Sequence, residues 1–381
     1  QNQEGGAFIY HGSAAGITTT IQAQLEINQA YAHFGCSVAG AGDVNGDGYG
    51  DVIVGAFWYD NGQSDEGAAF VYHGSSTGIT TTIRVQLEGN QTLAQMGGSV
   101  SSAGDVNGDG YSDAIVGASN LDAAYVFHGS ATGITTTIQA QLNGQPSSQM
   151  GVSVASAGDV NGDGYSDVIV GAMSFSNGQS SEGGAFVFHG SAAGITTTIQ
   201  TQLEWNQASA QIGRALASAG DVNGDGYSDV IVGVPYFKAG FVYLGNNGGG
   251  LRNNLRLYNL DLVTPIQQLN ITEPNLFGAG LFSKSALGRV KGKLVWEVKS
   301  ESGKFSGNPI TNSTAYLDKQ ASFTDLGIAG TELKSQVQKV GSKANKIRPR
   351  VEYDKVTAIT GQVYGPWRYP PGYTQGAYGM N

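Results

Sequence analysis

The amino-acid sequence predicts an all-β protein, with a repetitive N-terminal region of short strands and a smaller, mostly-β C-terminal domain. One sequence cassette occurs four times, at residues 34–56, 96–118, 150–172 and 212–234. Runs of β-branched and aromatic residues follow each cassette between Gly or Asn-Gly signals, which is typical of short strands. Gly accounts for 59 of the 381 residues, and this content suits tight turns because Gly adopts positive φ at low cost.

A change in charge near Gly245 indicates a domain boundary. Residues 1–245 hold 3 Lys and Arg against 21 Asp and Glu, a net charge of −18, whereas residues 246–381 hold 17 against 9, a net charge of +8. The two values together give the −10 of the whole chain. We therefore predict a repeat domain over 1–245, a flexible linker over 246–250 and a separate domain over 251–381.

A second recurring element, His-Gly-Ser followed by the run GITTTI, alternates with the cassette. In the first unit, strands are predicted at 52–54, 69–72 and 80–87. Asn-Gly pairs at 61–62 and 177–178 predict hairpin turns. Self-similarity at this period, with about four short strands per unit, predicts the blades of a β-propeller.

Each cassette contains a loop with oxygen-bearing side chains at alternate positions, in the pattern D-x-N-x-D-G-x-x-D. Positions 1, 3 and 5 place three side-chain oxygens around one point, Gly at position 6 permits a sharp turn, and the carbonyl of position 7 can face inward. The pattern matches the first half of an EF-hand loop, but position 12 of the first loop is Val54, in a predicted strand. Because strands and not helices follow the loops, we exclude an EF-hand and a dockerin.

The four loops supply the candidate metal ligands. In chain order they are Asp43, Asn45, Asp47, Tyr49, Asp51, Asp105, Asn107, Asp109, Tyr111, Asp113, Asp159, Asn161, Asp163, Tyr165, Asp167, Asp221, Asn223, Asp225, Tyr227 and Asp229, with each Tyr acting through its carbonyl oxygen. Two carboxylates roughly 4 Å apart repel by about 4 kcal/mol at an effective dielectric of 20, so such loops are costly without a cation.

The chemistry of these ligands favours calcium. Hard oxygen donors without His or Cys favour Ca²⁺ over Zn²⁺, and a flexible loop with several carboxylates favours it over the smaller Mg²⁺. We expect about four Ca²⁺ ions, one for each of the four cassettes. Because Cys36 is the single cysteine, the chain forms no internal disulfide, and the ions are expected to stabilise the blades in place of disulfides.

Two dipeptides flank each loop. In the first copy, Phe34-Gly35 stands before the loop and Gly55-Ala56 after it. Residues 1–245 therefore resemble the FG-GAP repeats of integrin α propellers and of many bacterial surface proteins, although later copies replace the Phe with Met or Ile. The resemblance implies an extracellular β-propeller, and it implies that the ninth loop position, Asp51 in the first copy, closes the metal site.

The number of blades departs from this family, whose propellers usually have seven. The chain has four cassettes and an N-terminal piece, residues 5–26, that is similar to the last two strands of a blade. The last cassette ends near Gly245 without a fourth strand. Since unpaired strand edges are a liability, we expect a small closed ring, a part of a longer propeller, or pairing with a neighbouring chain.

The sequence predicts no catalytic site. It contains no nucleophile elbow, phosphate loop or HExxH motif. Some His and Glu residues recur once per unit, so repetition explains them without chemistry; they are His11, His73, His128, His189, Glu26, Glu88 and Glu204. Cys36 follows the apolar Phe34-Gly35 pair and is expected to be a small core residue.

Residues 251–381 do not repeat and predict a small β-sandwich-like domain. The strand-like runs are 255–262, 292–299 and 347–353. A helix is predicted over 331–340, between a capping Thr and a terminating Gly. The Lys and Arg are scattered, which indicates a solvated face or docking onto an acidic surface, and not nucleic-acid binding. The aromatic and Pro-rich tail, 361–381, is expected to pack in the core or to lie on another molecule.

These features predict an extracellular, secreted, non-catalytic protein for binding, adhesion or scaffolding, with a protein or glycan partner at a cell surface. The incomplete N-terminal blade, the opposite domain charges and the aromatic tail also fit a self-assembling subunit of an extracellular filament, sheath or surface layer. An enzyme that acts on polysaccharides is a third, weaker alternative. The sequence contains no run of 18 apolar residues, so it predicts no membrane-spanning helix. The chain begins at Gln1 without a leader, which fits a mature secreted protein or a fragment.

Overall fold

A computed structural model describes residues 2–13, 16–220, 222, 227–245, 255–264, 275–283, 285, 290–300, 318–327, 330–340, 345–358, 363–365 and 367–368. These residues form β-strands and two short 3₁₀ turns, at Ser119–Leu121 and Pro235–Phe237. Within the same ranges, no helix has the length and apolar character needed to cross a bilayer. The structure confirms the predicted all-β class.

The N-terminal region consists of a hairpin followed by four antiparallel sheets, which we call blades 1 to 4. The hairpin pairs β1 (Ala7–Ser13) with β2 (Gly16–Leu25). Blade 1 contains β3 (Ser37–Gly42), β4 (Asp51–Ala56), β5 (Ala68–Tyr72) and β6 (Val85–Glu88). Blade 2 contains β7 (Ser99–Gly104), β8 (Asp113–Ala118), β9 (Ala123–Phe127) and β10 (Ala140–Asn143). Blade 3 contains β11 (Met150–Gly158), β12 (Asp167–Ala172), β13 (Gly184–Phe188) and β14 (Thr201–Leu203), and blade 4 contains β15 (Leu216–Gly220), β16 (Asp229–Val234) and β17 (Ala239–Tyr243).

Blades 1 to 3 each pack a sheet face against the next blade, so their middle strands are buried on both sides. The trailing face of a blade points to the following blade and its leading face points to the preceding one. Ile53 and Val71, on the trailing face of blade 1, share a core with Val100, Tyr125 and Phe127 on the leading face of blade 2. This double burial explains why the second strands are continuous apolar runs and not alternating ones.

The innermost strands of successive blades are joined by hydrogen bonds from backbone to side chain. The Val100 N–H donates to Ser37 Oγ over 3.0 Å, and the Val154 N–H donates to Ser99 Oγ over the same distance. Each bond links the first strand of one blade to the first strand of the next. The repeated serine therefore helps to fix the relative position of the blades.

The two flanking dipeptides of the cassette meet between blades. A Cβ atom added to Gly55 of blade 1 would lie 1.9 Å from the carbonyl oxygen of Gly97, the FG-position glycine of blade 2. The same approach relates Gly117 to Gly151, at 2.0 Å. Only glycine permits this backbone contact, which gives a physical reason for the two dipeptides of the repeat.

Both ends of the blade array are incomplete among the described residues. The hairpin occupies the position of the third and fourth strands of a blade, because the Gly5–Phe34 bridge repeats the Gly67–Met96 bridge. Blade 4 has three strands, as the sequence predicts. The hairpin and blade 4 form ladders within their own sheets, so the described strands do not join into a small ring. Cys36, expected in the core, is exposed, as are the residues at the equivalent position of blades 2 and 4, Gly98 and Arg214.

The C-terminal domain is a two-sheet structure, as predicted. One sheet contains β18 (Leu255–Tyr258), β19 (Leu276–Ser283) and β23 (Thr331–Gln338), and the other contains β20 (Lys291–Ser300), β21 (Asp318–Lys319), β22 (Thr324–Asp325) and β24 (Asn345–Tyr353). Side chains of both sheets, including Phe277, Leu281, Trp296 and Ile347, share one core. The predicted linker, 246–250, lies outside the described residues, and the domain boundaries stay a prediction.

The helix predicted over 331–340 is wrong, because these residues include strand β23, which pairs with β19 from Thr331–Ser283 to Gln338–Leu276. Leu333 and Val337 are both buried, and a spacing of four residues places two side chains on one face of a helix or of a strand. The capping Thr and the terminating Gly favoured a helix, but such local signals do not determine the structure of this segment. Pairing with a neighbouring strand overrides them.

Part of the aromatic tail packs within its own domain. The guanidinium of Arg350 lies 4.0 Å from the ring centroid of Tyr364, and that of Arg348 lies 4.4 Å from the ring of Trp367. Tyr364 and Trp367 are both buried, in agreement with the core-packing expectation for these two residues. The remaining predicted tail aromatics, Tyr369, Tyr373 and Tyr378, lie outside the described residues.

Candidate metal centre

The candidate ligands lie in the loops that connect the first strand of each blade to the second. In blade 1 the loop runs between β3 and β4, so that Asp43 follows one strand and Asp51 begins the next. A register shift where Gly42 pairs with Asp51 opens the ladder at this point. The loop therefore starts and ends on two paired strands, which hold its ends together.

Within the first loop, the side-chain oxygens converge on the backbone N–H groups of the turn. The carboxylate of Asp43 accepts from the N–H groups of Asp47 (3.1 Å) and Gly48 (2.9 Å). Asn45 Oδ1 also accepts from the Asp47 N–H, at 3.0 Å, and Asp47 Oδ1 accepts from the Tyr49 N–H, at 2.9 Å. The predicted ligands at positions 1, 3 and 5 are thus brought together around one turn.

The second and third loops repeat this arrangement. Asp105 accepts from the N–H groups of Asp109 and Gly110 at 3.1 and 2.9 Å. Asp159 accepts from the N–H groups of Asp163 and Gly164 at 3.0 and 2.8 Å. The carboxylates at position 5, Asp109 and Asp163, accept from the N–H groups of Tyr111 and Tyr165. In the fourth loop, the predicted ligands Asp221, Asn223 and Asp225 lie outside the described residues.

The aspartate at position 9 has a structural role that the sequence reasoning missed. Asp51 is buried, and its two oxygens accept from the N–H groups of Val44 (2.9 Å) and Gly74 (2.8 Å). Asp229 accepts in the same way from Val222 and Gly245. Each carboxylate therefore ties the metal loop to the segment after the third strand. Because a carboxylate oxygen has a second acceptor position, the assignment of Asp51 as a closing ligand stays a prediction.

Burial disfavours the negative charge of the position-9 carboxylates of the first three loops, Asp51, Asp113 and Asp167. Burial, with a smaller contribution from Asp43 and Asp47, raises the pKa of Asp51 to about 6, although backbone N–H groups oppose the shift. Burial likewise raises the pKa of Asp167 to about 8 and that of Asp113 well above its usual value. A cation beside a carboxylate favours the ionised form and opposes such a shift. The loops thus have the electrostatic character of sites that a cation would stabilise.

The chemistry of the donors fits a hard cation, but the described loops do not form a carboxylate cluster. Within the ranges that the structure covers, no group of three or more His, Cys, Asp or Glu is arranged to hold a metal ion. Each described loop instead contains the carboxylates of positions 1 and 5, the Asn side-chain oxygen of position 3 and the peptide carbonyl of position 7. Such an all-oxygen set suits Ca²⁺, which accepts carboxylate, amide and carbonyl donors together.

Two of the recurring histidines form hydrogen bonds with the Asn residues at position 3 of the metal loops. The Asn45 amide donates to His73 Nδ1 over 3.2 Å, and the Asn107 amide lies 3.3 Å from His128 Nδ1. Burial is the main cause that lowers the pKa of both histidines, which favours neutral rings that can accept these bonds. Each His lies in its own blade, so the rings form no common site. Their contribution is to orient the Asn at position 3, which the sequence did not reveal.

Successive metal loops are joined to one another. The Asp43 carbonyl accepts from the Ser112 N–H over 2.9 Å, and the Asp105 carbonyl accepts from the Ser166 N–H over 3.0 Å. The ring of Tyr111 also covers the first loop, since a Cβ atom on Gly46 would lie 2.8 Å from its Cε1 atom. The loops therefore form a connected row across the blades.

Comparison with known families agrees with this architecture. The FG-GAP repeat family matches residues 34–72 and 213–249, and an FG-GAP-like repeat family matches residues 105–170. We refer to the N-terminal region, which contains these matches, as the FG-GAP region. These matches fall on blades 1 to 4 and include the loops described above, so the family resemblance predicted from the two dipeptides is confirmed.

The chain is similar to integrin α chains. It is 30% identical to integrin alpha-4 of Xenopus laevis over 182 residues, which is 45% of this chain and 17% of the relative. It is 36% identical to human integrin alpha-6 over 144 residues, which is 37% of this chain and 12% of the relative. The chain thus spans less than a fifth of the length of these curated relatives.

The recurring glutamates brace surface loops of the FG-GAP blades. Glu88 Oε1 accepts from the Asn61 amide over 2.6 Å, and the Glu204 carboxylate accepts from the Asn177 amide over 3.1 Å. Each pair links the end of a fourth strand to the predicted Asn-Gly turn of the same blade. Because the two glutamates lie in different blades, they are not arranged as the paired carboxylates of a glycosidase.

Proposed function

We propose that this protein is a calcium-stabilised extracellular module for binding, adhesion or scaffolding, and that it is not an enzyme. The observation that carries the proposal is the recurrence of one all-oxygen loop at the same place in successive FG-GAP blades. A catalytic residue needs to be unique to one site, whereas these residues repeat from blade to blade. Repetition favours a structural role for the loops.

In the first loop, Asp43, Asn45, Asp47 and the carbonyl of Tyr49 would hold the ion. When bound, the ion would supply positive charge beside the buried Asp51. The region has only 3 Lys and Arg against 21 Asp and Glu, so little other positive charge is available to it. Because the Asp43 carbonyl accepts from Ser112 of the following loop, ordering one loop would also stabilise the contact with the next blade.

Similarity to integrin α chains supports a binding role in place of a catalytic one. We propose that the partner is a protein or a glycan at a cell surface, and that the chain is secreted or displayed outside the cell. A chain with a single cysteine forms no internal disulfide, and in this proposal bound calcium provides the stabilisation that disulfides give to many secreted proteins.

Calcium removal tests the structural part of the proposal. Thermal unfolding of the full chain is measured after treatment with EGTA, and again with 2 mM Ca²⁺ (about 20 times a Kd on the order of 10⁻⁴ M) or with Mg²⁺ at the same concentration. We expect a higher melting temperature in Ca²⁺ than in EGTA, with a smaller effect of Mg²⁺. Equal melting in all three conditions would contradict calcium stabilisation.

The binding role is tested with the calcium-loaded chain on arrays of glycans and of purified extracellular-matrix proteins. We expect retention of the chain on a defined subset of spots, with the signal lost in EGTA. A parallel screen for polysaccharide hydrolysis is expected to show no turnover. Turnover abolished by substitution of one Glu outside the metal loops would overturn the non-catalytic assignment.

A further inference from the structure

The two ends of the blade array expose apolar faces of opposite type. At one end, Ile231 and Val242 are cross-strand partners on the trailing face of blade 4. At the other end, Phe8, Tyr10 and its partner Ile21 lie on the outer face of the N-terminal hairpin. We call these two groups the tail patch and the head patch.

The tail patch differs from equivalent positions in the other blades by its exposure alone. Ile231 is 41% exposed, whereas its equivalents Ile53 and Ile115 are 0% exposed. Val242 is 49% exposed, whereas Val71 and Val126 are 0% exposed. In blades 1 and 2 these positions are covered by the following blade. The tail patch is therefore an interblade surface that lacks its partner within the described chain.

The head patch, on a leading face, is likewise more exposed than the equivalent positions of blade 1. Phe8 is 48% exposed and Tyr10 is 45% exposed, whereas the equivalent Phe70 and Tyr72 of blade 1 are 1% and 0% exposed. Phe70 and Tyr72 are buried against the hairpin, which stands in the place of a preceding blade. The head patch is therefore a leading face without a preceding blade among the described residues.

The two patches are equivalent to the two sides of the interface that joins successive blades within the molecule. Between blades 1 and 2, Ile53 and Val71 share a core with Tyr125 and Phe127. Ile53 and Val71 are equivalent to Ile231 and Val242 of the tail patch, while Tyr125 and Phe127 are equivalent to Phe8 and Tyr10 of the head patch. Both patches remain exposed in the same molecule, so the described chain does not cover one with the other.

We propose that copies of this chain associate head to tail, with the tail patch of one copy packed on the head patch of the next. The occupant of each patch is a second copy of the same chain, because that copy carries the complementary surface of an interface used repeatedly inside the array. The contact is heterologous, so each added copy presents a new free end and the assembly grows into rods or closed rings. This inference goes beyond the binding role and does not depend on it.

Variants that each block one end test the proposal. Ile231→Asp blocks the tail patch, and Phe8→Asp blocks the head patch; the exposure of both side chains allows an Asp without burying a charge. Sedimentation velocity of the full chain in Ca²⁺ is expected to show a series of oligomers for the unaltered chain and monomers for either variant. An equimolar mixture of the two variants is expected to form dimers of twice the monomer mass and no larger species.

The matched control is Ile199→Asp, which changes an isoleucine of similar exposure, 39%, between β13 and β14. It is expected to leave the oligomer series unchanged. Melting temperatures in Ca²⁺ report folding, and Val242→Lys with Tyr10→Lys form a second pair if an Asp variant unfolds. A monomeric unaltered chain, a variant mixture that stays monomeric, or dissociation by the control would overturn the proposal. Calcium-dependent melting would be retained in each of these outcomes, so the test is separate from that of the proposed function.

Discussion

The carboxylate of Asp51 accepts a hydrogen bond of 2.8 Å from the backbone N–H of Gly74, which lies 23 residues further along the chain. The other oxygen of Asp51 accepts from Val44 at the start of the metal loop. One buried side chain thus joins the loop to the segment that follows the third strand. The position-9 aspartate is consequently needed for the fold whether or not a cation is bound.

Replacement of Asp51 separates this structural role from a role in metal binding. Asp51→Ala leaves two backbone N–H groups without their acceptor, which costs about 1–3 kcal/mol for each buried group left unsatisfied. We expect a lower free energy of unfolding both in Ca²⁺ and in EGTA. The matched variant Asp47→Ala changes an exposed loop carboxylate and is expected to lower stability in Ca²⁺ with a much smaller effect in EGTA. Urea unfolding measures both, and equal stability losses for Asp47→Ala in both conditions would exclude a metal-dependent role for that residue.

The close approach of Gly55 to Gly97 predicts that alanine substitution at Gly55 and at the equivalent Gly233 has very different effects on stability. Gly55→Ala would place a Cβ atom 1.9 Å from a backbone oxygen of the next blade, whereas a Cβ atom on Gly233 would meet nothing nearer than 3.4 Å. We expect Gly55→Ala to destabilise the protein by about 3 kcal/mol or more, since overpacking against backbone cannot relax by a rotamer change. Gly233→Ala is expected to change stability by less than about 0.5 kcal/mol. Similar unfolding midpoints for the two variants would contradict the interblade contact.

Calcium stoichiometry provides a count that is independent of stability. Native mass spectrometry of the chain in Ca²⁺ is expected to show about four bound ions, because the sequence contains four loops. Asp109→Ala is expected to remove one of them, and Asn120→Ala, an exposed residue outside the loops, is expected to remove none. The proposal of one ion per cassette would fail if Asp109→Ala retained the full number.

The C-terminal domain contains a buried ion pair whose two halves are predicted to depend on each other. Arg348 Nη2 lies 2.6 Å from Glu297 Oε2, and both side chains are almost fully buried. Glu297→Leu would leave a buried guanidinium without this partner and is expected to cost about 3–5 kcal/mol. The double variant Glu297→Leu with Arg348→Met is expected to recover a substantial part of that loss. Additive losses in a double-mutant cycle would contradict the coupling.

The blade architecture could be predicted because the repeat displays it several times. Strand order, the position of the metal loops and the incomplete first and last blades all followed from comparing one copy with the next. The exposure of Cys36 was not predicted, because its neighbour Phe34 is an apolar core residue while Cys36 itself is exposed. The helix expected over 331–340 failed because no second copy was available to separate local signals from strand pairing with β19.

The candidate site was only partly predictable, because spacing shows which oxygens approach one another but not which donors they meet. Positions 1, 3 and 5 come together as expected. The bonds from Val44 and Gly74 to Asp51, and from Asn45 to His73, join segments separated by between 7 and 28 residues. Their geometry depends on the register of paired strands, and a sequence motif contains no information about that register.

The equivalence of the interblade surfaces has a consequence for how the chain reaches its native state. During refolding, the trailing face of blade 1 would also fit the leading face of blade 3. Ile53 would there meet Phe186 and Phe188, which are equivalent to its native neighbours Tyr125 and Phe127. The contacts alone therefore do not select blade 2 as the neighbour of blade 1. The shorter chain segment between blades 1 and 2 favours their pairing, because closing a shorter loop costs less entropy. Misordered blades are the expected kinetic traps of this sequence, and synthesis from the N-terminus, which offers one new blade at a time, avoids them.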